Sequence, residues 1–443
     1  MSRAKKQAIT EHTAIVEDLS HDGKGVVRVD GKTVFIHGAL PGEEVTFNLK
    51  KRRRRWDVAE LISIKNASTD RVEPRCAAAN MCGGCSLQHL NSEAQISLKQ
   101  GSLLEALKRI GKTEPQEVLP VMTGNFWGYR RKARLGVRYV TKKQSLLIGF
   151  REKDGRFLTD MQRCEVLHPN VGERINQLRE LVGGMNAAKE IAQIEVAMGD
   201  TVTALIFRNM IELDDNDTAS LIDFAKNSGL HIYLQPAGPS SVVPLWPLDS
   251  KLSYRLDQFD LEFEFLPSDF TQVNQSINQQ MISQAISLLD LNKQDRVFDL
   301  FCGLGNFSLP MARFAGEVLA VEGEASLVQR AKDNAERNAI DNVEFHVADL
   351  SKPLIDTPWF KSFIQQGVEK MLLDPPRSGA YDIIKELQPV KFKRIVYVSC
   401  HPGSLARDTE LLVHEQGYKL VKAGIMDMFP HTAHVEAMAV FER

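Results

Sequence analysis

The feature that most constrains this chain is an apolar segment that runs into a glycine-rich turn, residues 295–307, Asp-Arg-Val-Phe-Asp-Leu-Phe-Cys-Gly-Leu-Gly-Asn-Phe. The apolar run predicts a strand of a parallel sheet that is covered on both faces, and a helix is expected to begin near Phe307. Gly303 and Gly305 permit a tight turn and a close approach of the backbone to a ligand. A Gly-x-Gly pair alone is common in loops, so its meaning depends on the segments that follow.

Three further apolar segments follow at the spacing of a doubly wound sheet, and they end in Glu322, Asp349 and Asp374. Ligands of open α/β sheets bind beyond the carboxyl ends of the strands, so these acids are expected to surround one pocket. Carboxylates favour ribose hydroxyls and an adenine amine over a pyrophosphate, which indicates S-adenosylmethionine rather than NAD. The alternative is that each acid caps the helix that follows it; the shared spacing favours a site.

The next apolar segment, residues 394–399, ends at Cys400 and a Pro-Gly turn. A buried cysteine is usually a small inert hydrophobe, but a thiolate at this edge of the sheet can attack a carbon atom. Glu436 lies in an otherwise apolar segment near the end of the chain. Burial of that acid is costly unless it is used or paired, and the alternative is a solvent-facing residue of an edge strand.

Four of the six cysteines have a spacing that suggests a metal site, with Cys76, Cys82 and Cys85 clustered and Cys164 remote. Zinc is the simplest ion for four thiolates, but zinc sites usually pair their cysteines two by two. Three cysteines plus a distant one favour a [4Fe–4S] cluster. Its role is expected to be structural or RNA-positioning, because a cluster with four thiolate ligands has no open iron.

The amino-terminal region, from residue 10 to about 68, is predicted to consist of short strands, with Asp30-Gly31 as a hairpin turn. Residues 50–56 place six cations beside Trp56 and are interpreted as a surface for phosphate contacts rather than a solvated strand end. Residues 126–163 hold eleven lysines and arginines against three acids, although the net charge of the chain is only −2. Local basic segments interleaved with aromatics suit one structured RNA.

Together these motifs resemble those of the RNA uracil-5-methyltransferases, and most of all the bacterial 23S ribosomal RNA branch that carries an iron–sulfur cluster. The resemblance rests on Phe-Cys-Gly-x-Gly-Asn-Phe at 301–307, Leu-Asp-Pro-Pro-Arg at 373–377 and Val-Ser-Cys-His-Pro at 398–402. Residues 38–45 resemble a TRAM module. The implied α/β fold has a TRAM (OB-like) β-barrel over 1–70, a mixed α+β domain with the iron–sulfur site over 71–265, and a Rossmann-like methyltransferase domain over 266–443.

The resemblance also implies roles for individual residues. Cys400 adds to C6 of a uracil, C5 then takes the methyl group of S-adenosylmethionine, and Glu436 removes the C5 proton. The target uridine of 23S ribosomal RNA must be exposed or flipped from its stack. Phe270 flanks the cofactor pocket, and Asp374 is placed with the cofactor although it could also contact the base. The expected cofactor residues are Gln272, Phe301, Gly303, Gly305, Asn306, Glu322, Asp349 and Asp374.

Other readings are weaker but remain open. A tRNA uracil-5-methyltransferase shares the catalytic domain but generally lacks the four cysteines and the TRAM barrel. RNA cytosine-5-methyltransferases carry a cysteine where this chain has Arg377, and amino-group methyltransferases carry an aromatic residue there. A non-enzymatic iron–sulfur RNA-binding protein is the alternative from another class. We expect a cytoplasmic protein without membrane contact or obligate protein partner, because no apolar run reaches transmembrane length and no secretory signal is visible.

Overall fold

The computed structural model describes residues 11–153 and 155–443, which group into two compact units. The first unit contains the described residues up to Lys99, together with those of Arg151–Thr159 and Phe429–His434. The second unit contains Gln100–Phe150, Asp160–Met428 and Val435–Arg443. The three-domain division of the sequence stays a prediction. Among the described residues, no helix has both the length and the apolar character that a bilayer crossing requires.

The first unit contains a six-stranded sheet in the order β1-β5-β6-β4-β3-β2. Only Val16 and Glu17 separate β1 from β2, so one continuous segment forms both ends of this strand order. This arrangement curls the sheet towards a barrel. The predicted hairpin at Asp30-Gly31 is confirmed, since both residues have positive φ and β3 pairs with β4 around them. The strands are β1 Glu11–Ile15, β2 Asp18–Leu19, β3 Lys24–Val29, β4 Lys32–His37, β5 Glu44–Arg52 and β6 Trp56–Asn66.

Alternate residues of these strands point inward, which is the period expected for a half-buried sheet. The helix α1 follows and passes from the first unit into the second along the chain. The inward side chains form one buried cluster: Val16, Val27, Val34, Ile36, Ala39, Val45, Phe47 and Ala59.

The second unit begins with a mixed sheet in the order β13-β12-β11-β10-β8-β9, followed by the hairpin β14-β15. The elements up to this point are α1 Ser92–Arg109, β7 Glu117–Val118, β8 Lys132–Val140, β9 Ser145–Gly149, α2 Pro169–Gly172, α3 Ile175–Gly184, β10 Ile191–Met198, β11 Thr203–Asn209, α4 Asp215–Ser228, β12 His231–Leu234, β13 Val243–Trp246, β14 Leu252–Leu256 and β15 Leu261–Phe265.

The rest of the chain forms an eight-stranded sheet in the order β18-β17-β16-β19-β20-β22-β21-β7. Strands β16 to β20 are parallel, as predicted from their apolar runs, and β22 returns antiparallel beside β20. The elements are α5 Gln275–Leu289, β16 Arg296–Leu300, α6 Ser308–Phe314, β17 Glu317–Glu322, α7 Ala325–Arg337, β18 Val343–Val347, α8 Pro358–Gln365, β19 Lys370–Leu373, α9 Tyr381–Glu386, β20 Arg394–Ser399, α10 Pro402–Glu410, β21 Lys419–Met426 and β22 Glu436–Glu442.

A buried ion pair ties the barrel to the segment that leads to the clustered cysteines. The Glu43 carboxylate has no exposed side-chain surface and accepts hydrogen bonds from Arg71 at 2.6 and 2.7 Å. The backbone N–H groups of Leu40 and Ser68 donate to the same carboxylate. Burial by itself would raise the pKa of Glu43, but these hydrogen bonds hold it below the usual 4.5.

We expect Glu43→Gln to lower the free energy of unfolding by about 3 kcal/mol, because it leaves Arg71 without its buried counter-charge. The depressed pKa means that the pair stabilises the fold above about pH 4.5, and that this contribution disappears as the pH falls through the lower folded-state pKa. Urea denaturation of both proteins across this pH range measures the effect. Glu44→Gln is the control, because its partner Lys65 is exposed, and it should change stability by less than about 1 kcal/mol.

Candidate active site

The edge of the large sheet at the carboxyl ends of its parallel strands brings together three predicted site residues. Strand β20 pairs with β22 up to Ser399 and Ala437, so Cys400 and Glu436 are the next opposing positions. Asp374 directly follows β19, the parallel neighbour of β20. Strand β22 is an inner strand and the Glu436 side chain is buried, which rules out the alternative of a solvent-facing edge position. The arrangement places one thiol and two carboxyls at a common edge.

Burial and repulsion by nearby acids raise the pKa of each of these three groups. Burial and the neighbouring carboxyls of Glu436 and Asp374 raise the pKa of the Cys400 thiol to about 11. Burial and Asp374 raise the pKa of Glu436 to about 8, and burial with Asp299 raises that of Asp374 to about 7. The exposed Arg377 opposes these shifts at Cys400 and Glu436, as expected of a nearby positive charge.

The glycine turn has the backbone form that the sequence predicts. Phe301, Gly303 and Gly305 all have positive φ, at 70°, 55° and 89°. A Cβ atom built on Gly303 would meet nothing within 4 Å, so this backbone faces open space in which a ligand can lie. A non-glycine residue at positive φ is uncommon, and Phe301 is held there by its N–H, which donates to the Val321 carbonyl at 2.9 Å.

The Asn306 side chain is held within the protein by two polar neighbours. Its Oδ1 accepts from the Tyr254 hydroxyl at 2.8 Å, and its Nδ2 donates to Asn278 Oδ1 at 2.9 Å. Burial raises the pKa of Tyr254, so its hydroxyl stays a donor. Sequence reasoning missed Tyr254 and Asn278, because neither lies in a recognisable motif. These contacts fix the end of the glycine turn through α5 and the β14–β15 hairpin.

Glu322 and Asp349 lie at neighbouring strand ends, as predicted, but both are engaged with nearby backbone. Glu322 accepts from the N–H groups of Gly303 at 3.1 Å and Gly323 at 2.7 Å, which joins the end of β17 to the glycine turn. Asp349 is exposed and accepts from Ser351, and these bonds lower its pKa to about 2. Asp349 therefore closes a local turn and does not cap the helix that follows, since that helix begins at Pro358 after Thr357, and its carboxylate remains open to solvent.

The segment before α5 carries the remaining predicted cofactor residue, Gln272, which is half-buried. Phe270 is 68% exposed, an unusual position for a large aromatic side chain. The backbone beneath it is fixed, because Lys132 Nζ donates to the carbonyls of Pro267 and Asp269. Within residues 11–153 and 155–443, no hydrogen bond of the Gln272 side chain is present.

Asp299 is a further carboxyl close to Asp374, and the sequence alone assigns it no role. It lies in β16 with no exposed surface, and its Oδ2 accepts from the Ser308 hydroxyl. Burial raises its pKa to about 7, and among the described residues its Oδ1 has no hydrogen-bond partner. Like Glu436, Asp299 is an acid inside an apolar strand, and this sequence signal indicates a special role for both residues.

The cysteine-rich loop supplies thiols that are buried and surrounded by donors. Burial and the nearby Cys76 raise the pKa of Cys82, while a hydrogen bond from the Gly84 N–H, at 3.3 Å, opposes that rise. Lys153 lies close enough to Cys82 and Cys85 to act on both thiols. This donor set fits thiolate sulfur, although in the part of the chain that the structure describes no three metal-binding side chains form a ready-made ligand group.

Cys164 is also buried, and it lies in the second compact unit, where its N–H donates to the Gly172 carbonyl at 2.9 Å. Its membership of the ligand set therefore stays a prediction from the sequence.

The two basic segments differ in how their cations are paired within the protein. Residues 50–56 are exposed at the β5–β6 turn, and the Arg53 guanidinium lies 6.0 Å from the centre of the Trp56 ring. In the second segment, Arg131 pairs with Asp200 and Arg134 pairs with Glu195. Lys132 is also committed to carbonyl groups there. The first segment is thus the better candidate for phosphate contacts.

We expect Glu436→Gln to make Cys400 more reactive towards iodoacetamide, because removing a negative neighbour lowers the thiol pKa. At about pH 9, each unit of lower pKa should speed alkylation roughly threefold, since a larger thiolate fraction outweighs its weaker nucleophilicity. Peptide mass spectrometry across a pH series measures the rate at Cys400. Glu442→Gln, at the opposite end of the same strand, is the control. Equal rates in all three proteins would contradict the electrostatic description.

Comparison with known proteins identifies the family. The tRNA (Uracil-5-)-methyltransferase family matches residues 199–443, and the TRAM domain matches residues 6–55. The 23S rRNA (uracil(1939)-C(5))-methyltransferase RlmD of Xanthomonas axonopodis pv. citri is 52% identical over 98% of both chains, and that of Xylella fastidiosa strain 9a5c is 49% identical over 100% of both.

Among solved structures, the Pyrococcus abyssi tRNA (uracil-54, C5)-methyltransferase in complex with S-adenosyl-L-homocysteine has a TM-score of 0.73 and 25% identity. The alignment covers 97% of this chain and 100% of that one. The fold is therefore that of an S-adenosylmethionine-dependent methyltransferase with an added TRAM domain. By sequence match, relatives and architecture, the chain belongs to the RNA uracil-5-methyltransferase family.

Proposed function

We propose that the protein transfers the methyl group of S-adenosylmethionine to C5 of a uridine in 23S ribosomal RNA. The observation that carries this proposal is the opposition of the partly exposed Cys400 and the buried Glu436 beside the glycine turn. The names of the full-length relatives support the same reaction and indicate the equivalent of uridine 1939. Such a substrate would place the protein in the cytoplasm.

Cys400 is the proposed nucleophile because C5 of uracil is too weakly nucleophilic to take a methyl group unaided. The thiol loses its proton to water, its sulfur bonds to C6, and the electrons of the C5–C6 double bond move into an enolate. C5 then bonds to the methyl carbon, and S-adenosylhomocysteine leaves. Dividing the reaction through a covalent adduct is nucleophilic catalysis. Arg377 favours the thiolate, because its charge opposes the effect of the two carboxyls on the Cys400 pKa.

Glu436 is the proposed general base that removes the C5 proton after methyl transfer. Loss of this proton restores the C5–C6 double bond, breaks the bond between sulfur and C6, and returns Cys400 as a thiolate. A carboxyl with a pKa near 8 is a stronger base than an ordinary glutamate and is matched to work near neutral pH. The uridine must leave its stack to reach this edge, so a loop or flipped base is the proposed substrate.

The methyl donor is proposed to lie along the glycine turn, where open space faces Gly303. Glu322 at the end of β17 and Asp349 at the end of β18 are placed for ribose hydroxyls and the adenine amine, provided that the donor displaces or shares their present contacts. Phe301 and Gln272 complete the proposed pocket. Asp299 and Asp374 add negative charge that suits a cationic sulfonium.

The cysteine loop is proposed to hold a [4Fe–4S] cluster through Cys76, Cys82, Cys85 and Cys164. The buried thiols and the Gly84 N–H that donates to Cys82 support thiolate ligation. A cluster of this kind can accept and donate electrons, but with four protein thiolates it has no open position for substrate. Its proposed role is to order the polypeptide around it.

The exposed β5–β6 turn is the proposed phosphate-binding surface of the TRAM barrel. Its cations surround Trp56, which is 41% exposed and packs edge-on against Phe35. An aromatic platform among cations suits both phosphates and an unstacked base.

The reaction is tested by methyl transfer from labelled S-adenosylmethionine to a mixture of unmodified 23S RNA and tRNA, followed by digestion to nucleosides. We expect label in 5-methyluridine from 23S RNA. Cys400→Ala should reduce turnover to background, and Glu436→Gln should reduce it by about a hundredfold to ten-thousandfold. Glu442→Gln is the control and should retain activity.

Each other outcome of that experiment overturns a defined part of the proposal. Label in tRNA would overturn the substrate, and label in 5-methylcytidine would overturn the target base. Near-normal methylation by Cys400→Ala would overturn the covalent mechanism.

The cluster is tested by iron and sulfide analysis of protein purified without oxygen. We expect about four irons and four sulfides per chain, and we expect Cys164→Ser to lose most of both. Cys302→Ala is the control, since Cys302 is buried in the glycine turn and outside the proposed ligand set. Zinc in place of iron would overturn the cluster, and full iron in Cys164→Ser would remove this cysteine from the ligand set.

A further inference from the structure

The segment Phe429–His434 contains a strained residue just before the proposed general base. His431 has a φ of +65°, a left-handed conformation that residues with side chains rarely adopt. Such a conformation persists only where the surrounding structure holds it. Three residues later the segment ends, and strand β22 begins at Glu436 after one further residue.

Both backbone polar groups of His431 are held by other parts of the first unit. Its N–H donates to Gln95 Oε1 at 2.8 Å. Its carbonyl accepts from the N–H groups of Ser86 at 3.0 Å and Leu87 at 2.9 Å. The strained peptide is therefore fixed from helix α1 on one side and from the cysteine loop on the other.

Gln95 joins these contacts through one carboxamide. The side chain is only 1% exposed, and its Nε2 donates to the carbonyls of Leu87 at 3.1 Å and Leu90 at 2.7 Å. A buried amide that bonds three separate backbone groups fixes their relative positions, because breaking any bond would leave a buried polar group unpaired. Gln95 thus sets the distance between the cysteine loop and His431.

Two further contacts fix the same segment. Lys99, one turn along α1 from Gln95 and also buried, donates to the Phe429 carbonyl at 2.9 Å. The Ala433 N–H donates to Ser86 Oγ at 3.1 Å. Contacts at residues 429, 431 and 433 leave the chain little freedom before β22.

We propose that Gln95 is a positioning residue for Glu436, acting by holding the segment Phe429–His434 in its strained form. This inference rests on the proposed function, in which Glu436 removes the C5 proton. Ser86 directly follows Cys85, so the loop that supplies the proposed cluster ligands is the same loop that holds His431. The cysteine loop then contributes to catalysis by fixing the segment that leads to the proposed base, Glu436.

The order of the steps predicts which intermediate accumulates when Glu436 is misplaced. Glu436 acts after the methyl group has arrived and while Cys400 is still bonded to C6. Misplacement of the base therefore slows the last step and leaves a methylated covalent protein–RNA adduct. A general loss of stability would lower the amount of active protein without accumulating that adduct.

The test compares Gln95→Met, which keeps side-chain length but removes the hydrogen-bonding groups, with the matched control Gln100→Met on the same helix. Adduct carrying labelled methyl is quantified on denaturing gels, and turnover and the KM for RNA are measured in parallel. We expect Gln95→Met to accumulate adduct and to lower kcat by about tenfold to a hundredfold with an unchanged KM, because small misplacements of a catalytic group cost rates of this order. Ser86→Ala provides a milder second variant and should accumulate less adduct.

Glu436→Gln separates the failure of this inference from the failure of the proposed function. Adduct in Glu436→Gln but in neither Gln95→Met nor Ser86→Ala would overturn the positioning role alone. No adduct in Glu436→Gln would overturn the assignment of the base on which the inference rests. Equal adduct in Gln100→Met would also overturn the positioning role, since the effect would not depend on the contacts to His431.

Discussion

The antiparallel pairing of β20 with β22 is the contact on which the active edge depends. It sets Cys400 opposite Glu436 although 36 positions separate them in the sequence. A shift of one residue in this register would turn every side chain of β22 to the other face of the sheet. The parallel strand β19 adds Asp374 from the other side. Backbone hydrogen bonds of the sheet therefore bring Cys400, Glu436 and Asp374 to one edge.

That pairing also decides the chemistry of the groups, because it places like charges together in a buried environment. Burial and repulsion make the carboxyls of Glu436 and Asp374 weaker acids and make Cys400 a weaker acid as well. A stronger base suits proton removal, whereas a less acidic thiol needs help to ionise. Arg377 provides opposing charge, and the proposed donor, a sulfonium cation, would provide more.

The predictions that succeeded concern local patterns of the sequence. The period of apolar residues located β16 to β20, and the change from apolar to polar at the end of each strand located Glu322, Asp374 and Cys400. The positive φ angles at Gly303 and Gly305 agree with the turn that their residue type suggests. Such features can be read from neighbouring residues because strand geometry repeats every two residues.

The missed features depend on residues that are far apart in the chain. Tyr254 and Asn278 hold Asn306 from two other elements, and neither has a pattern of its own. The basic run that contains Lys132 predicts an RNA surface, but the Lys132 side chain is largely removed from solvent and donates to backbone carbonyls. A long side chain can turn towards distant partners, so a charged run in the sequence does not show which of its charges face solvent.

The sequence by itself determined the parallel sheet, the glycine turn, the place of Cys400 at a strand end and the family, since all four follow from residue types at short spacing. Only the tertiary structure decided that β22 is an inner strand, that Asp299 is a buried acid beneath the turn, and that Gln95 holds His431 across 336 positions. These outcomes depend on which elements meet in space. Residues that meet across long chain separations share no periodic sequence pattern, so their contacts cannot be predicted from neighbouring residues.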